Sequence, residues 1–249
     1  FSQYRFHIPD YQRGYSWEEG QWKALMDDLS TLTDDNDHFT GLLVLHQSTN
    51  PSLKVKIKGV PVEVYDLVDG QQRLTTIVIL LNEVRKEMET LGSEDLASIA
   101  ERIVSTYLYE DGPGTTLIPK LVLVRNNFEF FKHNVLGIDG ANILGTEIQS
   151  HKNLLGAQTY FRNYLARKRT ELGETYPAWI EKLYEKIANQ MKVMVYKLRS
   201  EADAGVVFES MNNRGKKPNQ LDLVKNYLLY LASKLGTDLN HALTASINN

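Results

Sequence analysis

The run Asp69-Gly70-Gln71-Gln72-Arg73 places a carboxylate, a glycine, two amides and a guanidinium side by side, a set suited to binding an anion such as a phosphate. Asp69 can accept from backbone amides, and Arg73 can grip a phosphate through two parallel N–H bonds. Gly70 removes a side chain that would keep a ligand from the nearby amides.

The flanks fix where this run sits. Val60, Val62 and Val64 alternate with Pro61, Glu63 and Tyr65, which predicts a strand, whereas Leu74, Ile77, Val78, Leu81, Val84 and Met88 recur at helical spacing. Asp69 is therefore expected where a strand hands over to a helix, as N-cap, with Gln72 completing a capping-box-like pair. Unpaired amides and the positive dipole end make such a terminus an anion site. The plainer reading has Asp69 capping and Arg73 pairing with a surface carboxylate, and the run taken alone favours it.

Two further clusters change that balance. Gln12 and Arg13 stand among Tyr11, Tyr15 and Trp17, in an extended arm leading to a helix opened by Ser16 and Glu19, with Trp22, Leu25, Met26 and Leu29 on its buried face. The rings suit a core or a stacking surface equally, and the polar pair reads as a pocket wall. Near the other end, Asn212, Arg214 and Lys225 gather around a polar turn between two helices, although Asp222 and Lys225 at three-residue spacing can also pair on the surface.

Between the clusters, residues 39–46 predict a strand, and Lys54, Lys56 and Lys58 alternate with Val55 and Ile57 in a strand that turns at Gly59 into the next. The lysines either keep an edge soluble or touch a phosphate backbone. From Ser93 onward the texture is mostly helical, with Gly112-Pro113-Gly114 as a break, 121–124 as strand or buried helix, basic residues Arg167, Lys168 and Arg169 at one helix end, Pro177 opening another helix, and 191–198 as a strand. An α+β fold follows, divided into residues 1–92, an α/β region with a small mixed sheet, and residues 93–249, mainly helical and completing the same cleft.

Composition excludes several classes. At 249 residues, 42% hydrophobic and 24% charged, the chain suits a globular protein with a sizeable core. It has no Cys, which excludes disulfides and thiolate chemistry and suits a reducing cytoplasm. No apolar run is long enough to span a bilayer, and no signal peptide opens the sequence. A net charge of −3 gives no global basic footprint, so nucleic-acid contact requires a local patch or a partner. No P-loop occurs, and the six His lack metal-ligand spacing. Beginning at Phe1 and stopping inside Ser246-Ile247-Asn248-Asn249, the chain is expected to be a piece of a longer protein.

Taken in order, Ile8-Pro9-Asp10-Tyr11-Gln12-Arg13-Gly14-Tyr15-Ser16-Trp17, the run Asp69 to Thr76, and residues 208–226 closely resemble the N-terminal domain of GmrSD-type restriction endonucleases, over nearly the whole chain. Lys217-Pro218-Asn219 departs from the small apolar residue usual there. The resemblance implies a fold related to ParB and sulfiredoxin, in a bacterial, cytoplasmic protein of modification-dependent restriction and phage defence. It implies a nucleoside triphosphate and Mg²⁺ as ligands, DNA as the sensed partner, and an associated HNH-like nuclease domain that these residues do not contain. Asp69, Gln71, Gln72 and Arg73 are the catalytic candidates, with Asp69 as metal ligand. Tyr11, Gln12, Arg13, Tyr15, Gly70, Thr75, Asn212, Arg214 and Lys225 are the nucleotide- and phosphate-binding candidates. A DNA-binding module without turnover and a direct ParB-like nuclease are the competing readings.

Overall fold

The computed structural model describes residues 4–199 apart from 11, 34–35, 58, 125, 139–144 and 146–147. Nearly all of these fall in one compact unit, Phe1–Lys197, the chain's other unit being Leu198–Asn249. Nine strands and six α-helices follow one another among the described residues: β1 (Tyr4–His7), α1 (Glu19–Thr31), β2 (His38–Gln47), β3 (Lys56–Ile57), β4 (Val60–Pro61), β5 (Glu63–Asp69), α2 (Gln71–Thr90), α3 (Glu94–Ile103), β6 (Tyr109–Asp111), β7 (Leu117–Pro119), β8 (Leu121–Val122), α4 (Asn126–Phe130), α5 (Gln149–Leu172), α6 (Tyr176–Glu185) and β9 (Met191–Leu198).

Five strands form one mixed sheet in the order β8-β1-β5-β2-β9. β1 runs parallel to both β5 and β8, and β2 runs antiparallel to β5 with a register shift between Val44 and Leu45. Alternation divides the sheet into two faces. Phe6, Leu45, Tyr65, Leu67 and Leu121 enter the main core with the helices, whereas Val64 and Val122 meet Leu53 in a small separate cluster. β3 with β4, and β6 with β7, are separate two-stranded ribbons.

The mixed α/β class and the strands at 39–46 and 191–198 agree with the sequence reading; the single strand expected over 60–68 divides into β4, in the ribbon, and β5, in the sheet, and the run 121–124, read as strand or buried helix, contains the two-residue strand β8. The arm did not betray β1, because four residues of a parallel interior strand carry no alternation to detect. The break at 112–114 is the turn of the β6–β7 ribbon. Helix α1 begins later than Ser16 and Glu19 suggest. Gln72 holds the Ser16 amide at 2.8 Å in the extended arm, so Glu18 becomes the cap, its N–H donating to Gln21 Oε1 at 2.9 Å. The expected buried face of Trp22, Leu25, Met26 and Leu29 is the observed one.

Helix α2 is the central helix, packed against α3, α5 and α6. Its midpoint carries buried polar groups that a simple apolar stripe does not anticipate. Glu83, 2% exposed, accepts from Gln158 Nε2 (3.0 Å), Arg162 Nε (3.1 Å) and Lys86 Nζ (2.7 Å). Asn82 and Gln158 both donate to the Val135 carbonyl, at 2.7 and 3.2 Å, at the end of a π-helical turn, Phe131–Val135, whose last carbonyls lack helical partners. No helix among the described residues is long and apolar enough to cross a membrane.

Glu83→Ala strands two cations and an amide that the carboxylate now satisfies, and is expected to cost about 3 kcal/mol in urea unfolding. Lys168→Ala removes an exposed partner of Glu171 and is expected to change stability by less than about 0.5 kcal/mol in the same assay.

Candidate functional site

The site grows out of the β5–α2 junction. Asp69 is the last residue of β5, opposite Val44 of β2, and Gly70 precedes the helix with φ +91° and no side-chain cap. The expected N-cap role of Asp69 therefore passes to a glycine. A β-carbon at Gly70 would stand 2.4 Å from Leu43 Cδ2 and 2.9 Å from the Leu42 carbonyl oxygen. Glycine is needed here so that β2 can pass over the turn, a reason for its place that the sequence did not reveal.

The Asp69 carboxylate accepts from the Gly70 N–H and lies within the field of Arg73. Burial pushes its carboxyl up from the ordinary value, and the Gly70 amide and Arg73 pull it partly back. Arg73 is half-buried, and burial lowers its pKa while Asp69 opposes the shift. Its guanidinium makes no hydrogen bond or ion pair among the described residues. It lies against Gly41 of β2, where a β-carbon would come within 2.6 Å of Nη1.

Gln71 and Gln72 face the other way, each 8% exposed. Gln71 Nε2 donates to Gln12 Oε1 at 2.8 Å, and Gln12 Nε2 donates to the Val68 carbonyl at 2.7 Å. Gln72 accepts from the Ser16 N–H and donates to the Gly14 carbonyl at 3.1 Å. These bonds clip the arm of residues 12–16 across the strand–helix junction, and they occupy the Gln72 amide that sequence assigned to a capping box.

Tyr15 is a core ring, 5% exposed. Its hydroxyl accepts from Trp22 Nε1 at 2.8 Å and meets Thr76 Oγ1 at 2.7 Å, while burial pushes the phenol well above its ordinary pKa and keeps it neutral. Arg13, Tyr15, Gln71, Gln72, Thr75 and Asn127 line one small cavity of about 10 Å³, room for about one water. Arg13 is exposed and unpaired among the described residues.

Thus Gln12, Arg13, Tyr15, Gln71, Gln72 and Thr75 gather on the arm side of α2, whereas Asp69 and Arg73 turn toward β2 and do not line the cavity. Tyr11, Asn212, Arg214 and Lys225 lie outside the described residues. Two positions escaped sequence reasoning. Asn127 joins the cavity wall and accepts from the Ser150 hydroxyl at 2.6 Å, and its signal was a polar residue in the first turn of an apolar helix. Gly41 interrupts an otherwise apolar strand, the usual mark of close backbone approach.

The candidate DNA contacts differ in availability. Arg167, Lys168 and Arg169 are engaged by Glu171 and Glu87 at 3.6, 2.7 and 3.5 Å, whereas Lys54 and Lys56 are exposed around the β3–β4 ribbon. His7 Nδ1 pairs with Asp66 at 2.7 Å, and among the described residues no group of three or more His, Asp or Glu is placed to hold a metal ion. A model of the family described as GmrSD restriction endonuclease, N-terminal domain, matches residues 1–229. No curated protein matches the chain.

Tyr15→Phe leaves the Trp22 indole without its acceptor and is expected to cost about 1–2 kcal/mol by urea unfolding. Asp69 supplies a pH test. Its folded pKa is raised, so its contribution favours folding at low pH and is lost as pH rises through the folded value. Asp69→Asn has no such proton to lose. Its melting temperature is expected to rise relative to wild type between about pH 3 and about pH 7, and a pH-independent difference would contradict the burial of this carboxylate.

Proposed function

The chain belongs to the family of GmrSD restriction endonuclease N-terminal domains, and on that footing we propose that it is the nucleotide-handling part of a restriction system. In this reading it binds a nucleoside triphosphate with Mg²⁺ and hydrolyses it in response to DNA sensing, an associated HNH-like nuclease carrying out cleavage. The observation that carries the reading is the Arg73 guanidinium, half-buried, with no hydrogen bond or ion pair among the described residues, and one turn inside the N-terminus of a 20-residue helix. Desolvation strengthens its pull on an anion, and the helix dipole adds to it.

Each residue then has a task. Arg73 binds phosphate oxygens bidentately, and the first amides of α2 add neutral donors beside it. Arg13, on the exposed arm, neutralises further charge. Gln71 and Gln72 hold the arm in place while their amides are occupied by it, and orienting water requires one of them to exchange a partner. Asp69 fits a Mg²⁺ held mainly by nucleotide phosphates, since that ion needs just one or two protein carboxylates. When bound, the ion supplies charge neutralisation at the phosphates. A chain without Cys suits the reducing bacterial cytoplasm, where such a component would meet incoming DNA.

The small arm-side cavity favours a second reading. It holds about one water, far short of the roughly 300 Å³ of ordinary small-molecule sites. A module that grips DNA phosphates at Arg73 and along Lys54 and Lys56 needs no enclosed pocket.

Purified protein given GTP, ATP or CTP, with and without modified DNA, separates the two. Nucleotide hydrolysis predicts a raised melting temperature and phosphate release, with Arg73→Ala weakening nucleotide binding about tenfold or more, at least about 1.4 kcal/mol. No thermal shift and no released phosphate with any nucleotide would leave the DNA-binding module.

A further inference from the structure

Gly41 sits inside β2 with φ +127°, a conformation L side chains rarely adopt. Its missing side chain also leaves the space that Arg73 fills. A β-carbon there would lie 2.6 Å from Nη1, 2.8 Å from Cζ and 2.9 Å from Nη2 of Arg73. All three atoms lie where a side chain would begin, so the guanidinium packs directly against the bare backbone of Gly41. Two separate constraints, dihedral and steric, therefore select glycine at one position of a strand that otherwise gains from side chains. A register shift between Val44 and Leu45, where β2 faces Asp69 and Leu67, interrupts the regular pairing three residues beyond Gly41.

We propose that Gly41 is the positioning residue of an oxyanion site, holding the Arg73 guanidinium in one orientation with its N–H fork free for a terminal phosphate. This rests on the reading of Arg73 given under Proposed function. An arginine already paired with a carboxylate must surrender that pair before it binds an anion. One that rotates freely in water must be ordered on binding, at a cost in side-chain entropy. Packed against Gly41, and with no hydrogen bond or ion pair among the described residues, Arg73 has only the field of Asp69 to share with an anion. Its planar fork is suited to two phosphate oxygens at once, which a lysine ammonium cannot match in geometry.

Calorimetric titration of the full chain with inorganic pyrophosphate tests this as a double-mutant cycle. Gly41→Ala and Arg73→Ala are each expected to weaken binding about tenfold or more, and the double variant to bind no worse than Arg73→Ala alone, because both losses pass through one guanidinium. Independent losses that multiply in the double variant would overturn the proposal, as would a folded Gly41→Ala protein that binds like wild type while Arg73→Ala does not. Equal pyrophosphate binding by wild type and Arg73→Ala would instead sink the anion-site reading itself. Should Gly41→Ala fail to fold, the wild-type Arg73 Nε–H resonance decides. A distinct, slowly exchanging signal that shifts with pyrophosphate supports the proposal, and a signal averaged like those of exposed arginines refutes it.

Discussion

The close passage of β2 over the β5–α2 turn is the constraint on which the rest of the site depends. Strand pairing brings β2 beside β5, and the turn must then fit beneath the Leu42 carbonyl and the Leu43 side chain. A glycine with positive φ at position 70 meets both demands. Once the turn is seated, α2 leaves it in a fixed direction, its buried face enters the core, and Arg73 is delivered to β2 while Gln71 and Gln72 are delivered to the arm. One tight contact between backbones thereby decides which side chains of a five-residue run meet which neighbours.

The two glutamines show how a short polar motif can organise a fold as well as a reaction. Buried amides are costly unless each donor and acceptor is met. Here the Gln12, Gln71 and Gln72 side chains are met chiefly by one another and by main-chain groups of residues 14, 16 and 68. The arm has little regular structure to hold it in place, and this ladder supplies the direction that packing alone does not. Charge placement is complementary: the buried amides are neutral, and Arg13 and Arg73, without a hydrogen bond or ion pair among the described residues, stand on opposite sides of them.

Sequence made the elements legible where periodicity was long. Helix α2 and the buried face of α1 followed from apolar spacing, and β2 and β9 from apolar or alternating runs. It was silent on β1, whose four residues have no pattern of their own, and on the start of α1, where a distant Gln72 overrides the local capping signal. Of the residues singled out by type, Gln12, Arg13, Tyr15, Gln71, Gln72 and Thr75 do meet. Sequence could not tell that Arg73 faces away from them, because successive helix positions diverge by about 100° and the direction of each depends on what the chain packs against. Nor could it assign Gly41, since a glycine's reason lies in the neighbour that occupies its empty space.

The pairing of β1 has a consequence for how the chain comes into being. This strand is near the beginning of the described chain, yet its two partners, β5 and β8, come much later, and both pairings are parallel. Contacts so distant in sequence carry a large loop-closure cost and form slowly. During synthesis the helical hairpins around α2 can assemble while Tyr4–His7 still waits for β8. Insertion of β1 between its neighbours is then a late event that also draws the arm of residues 12–16 into place. The β5–α2 junction and the arm clipped to it are therefore completed near the end of folding, and an immature chain exposes the edges of β5 and β8 until that strand arrives.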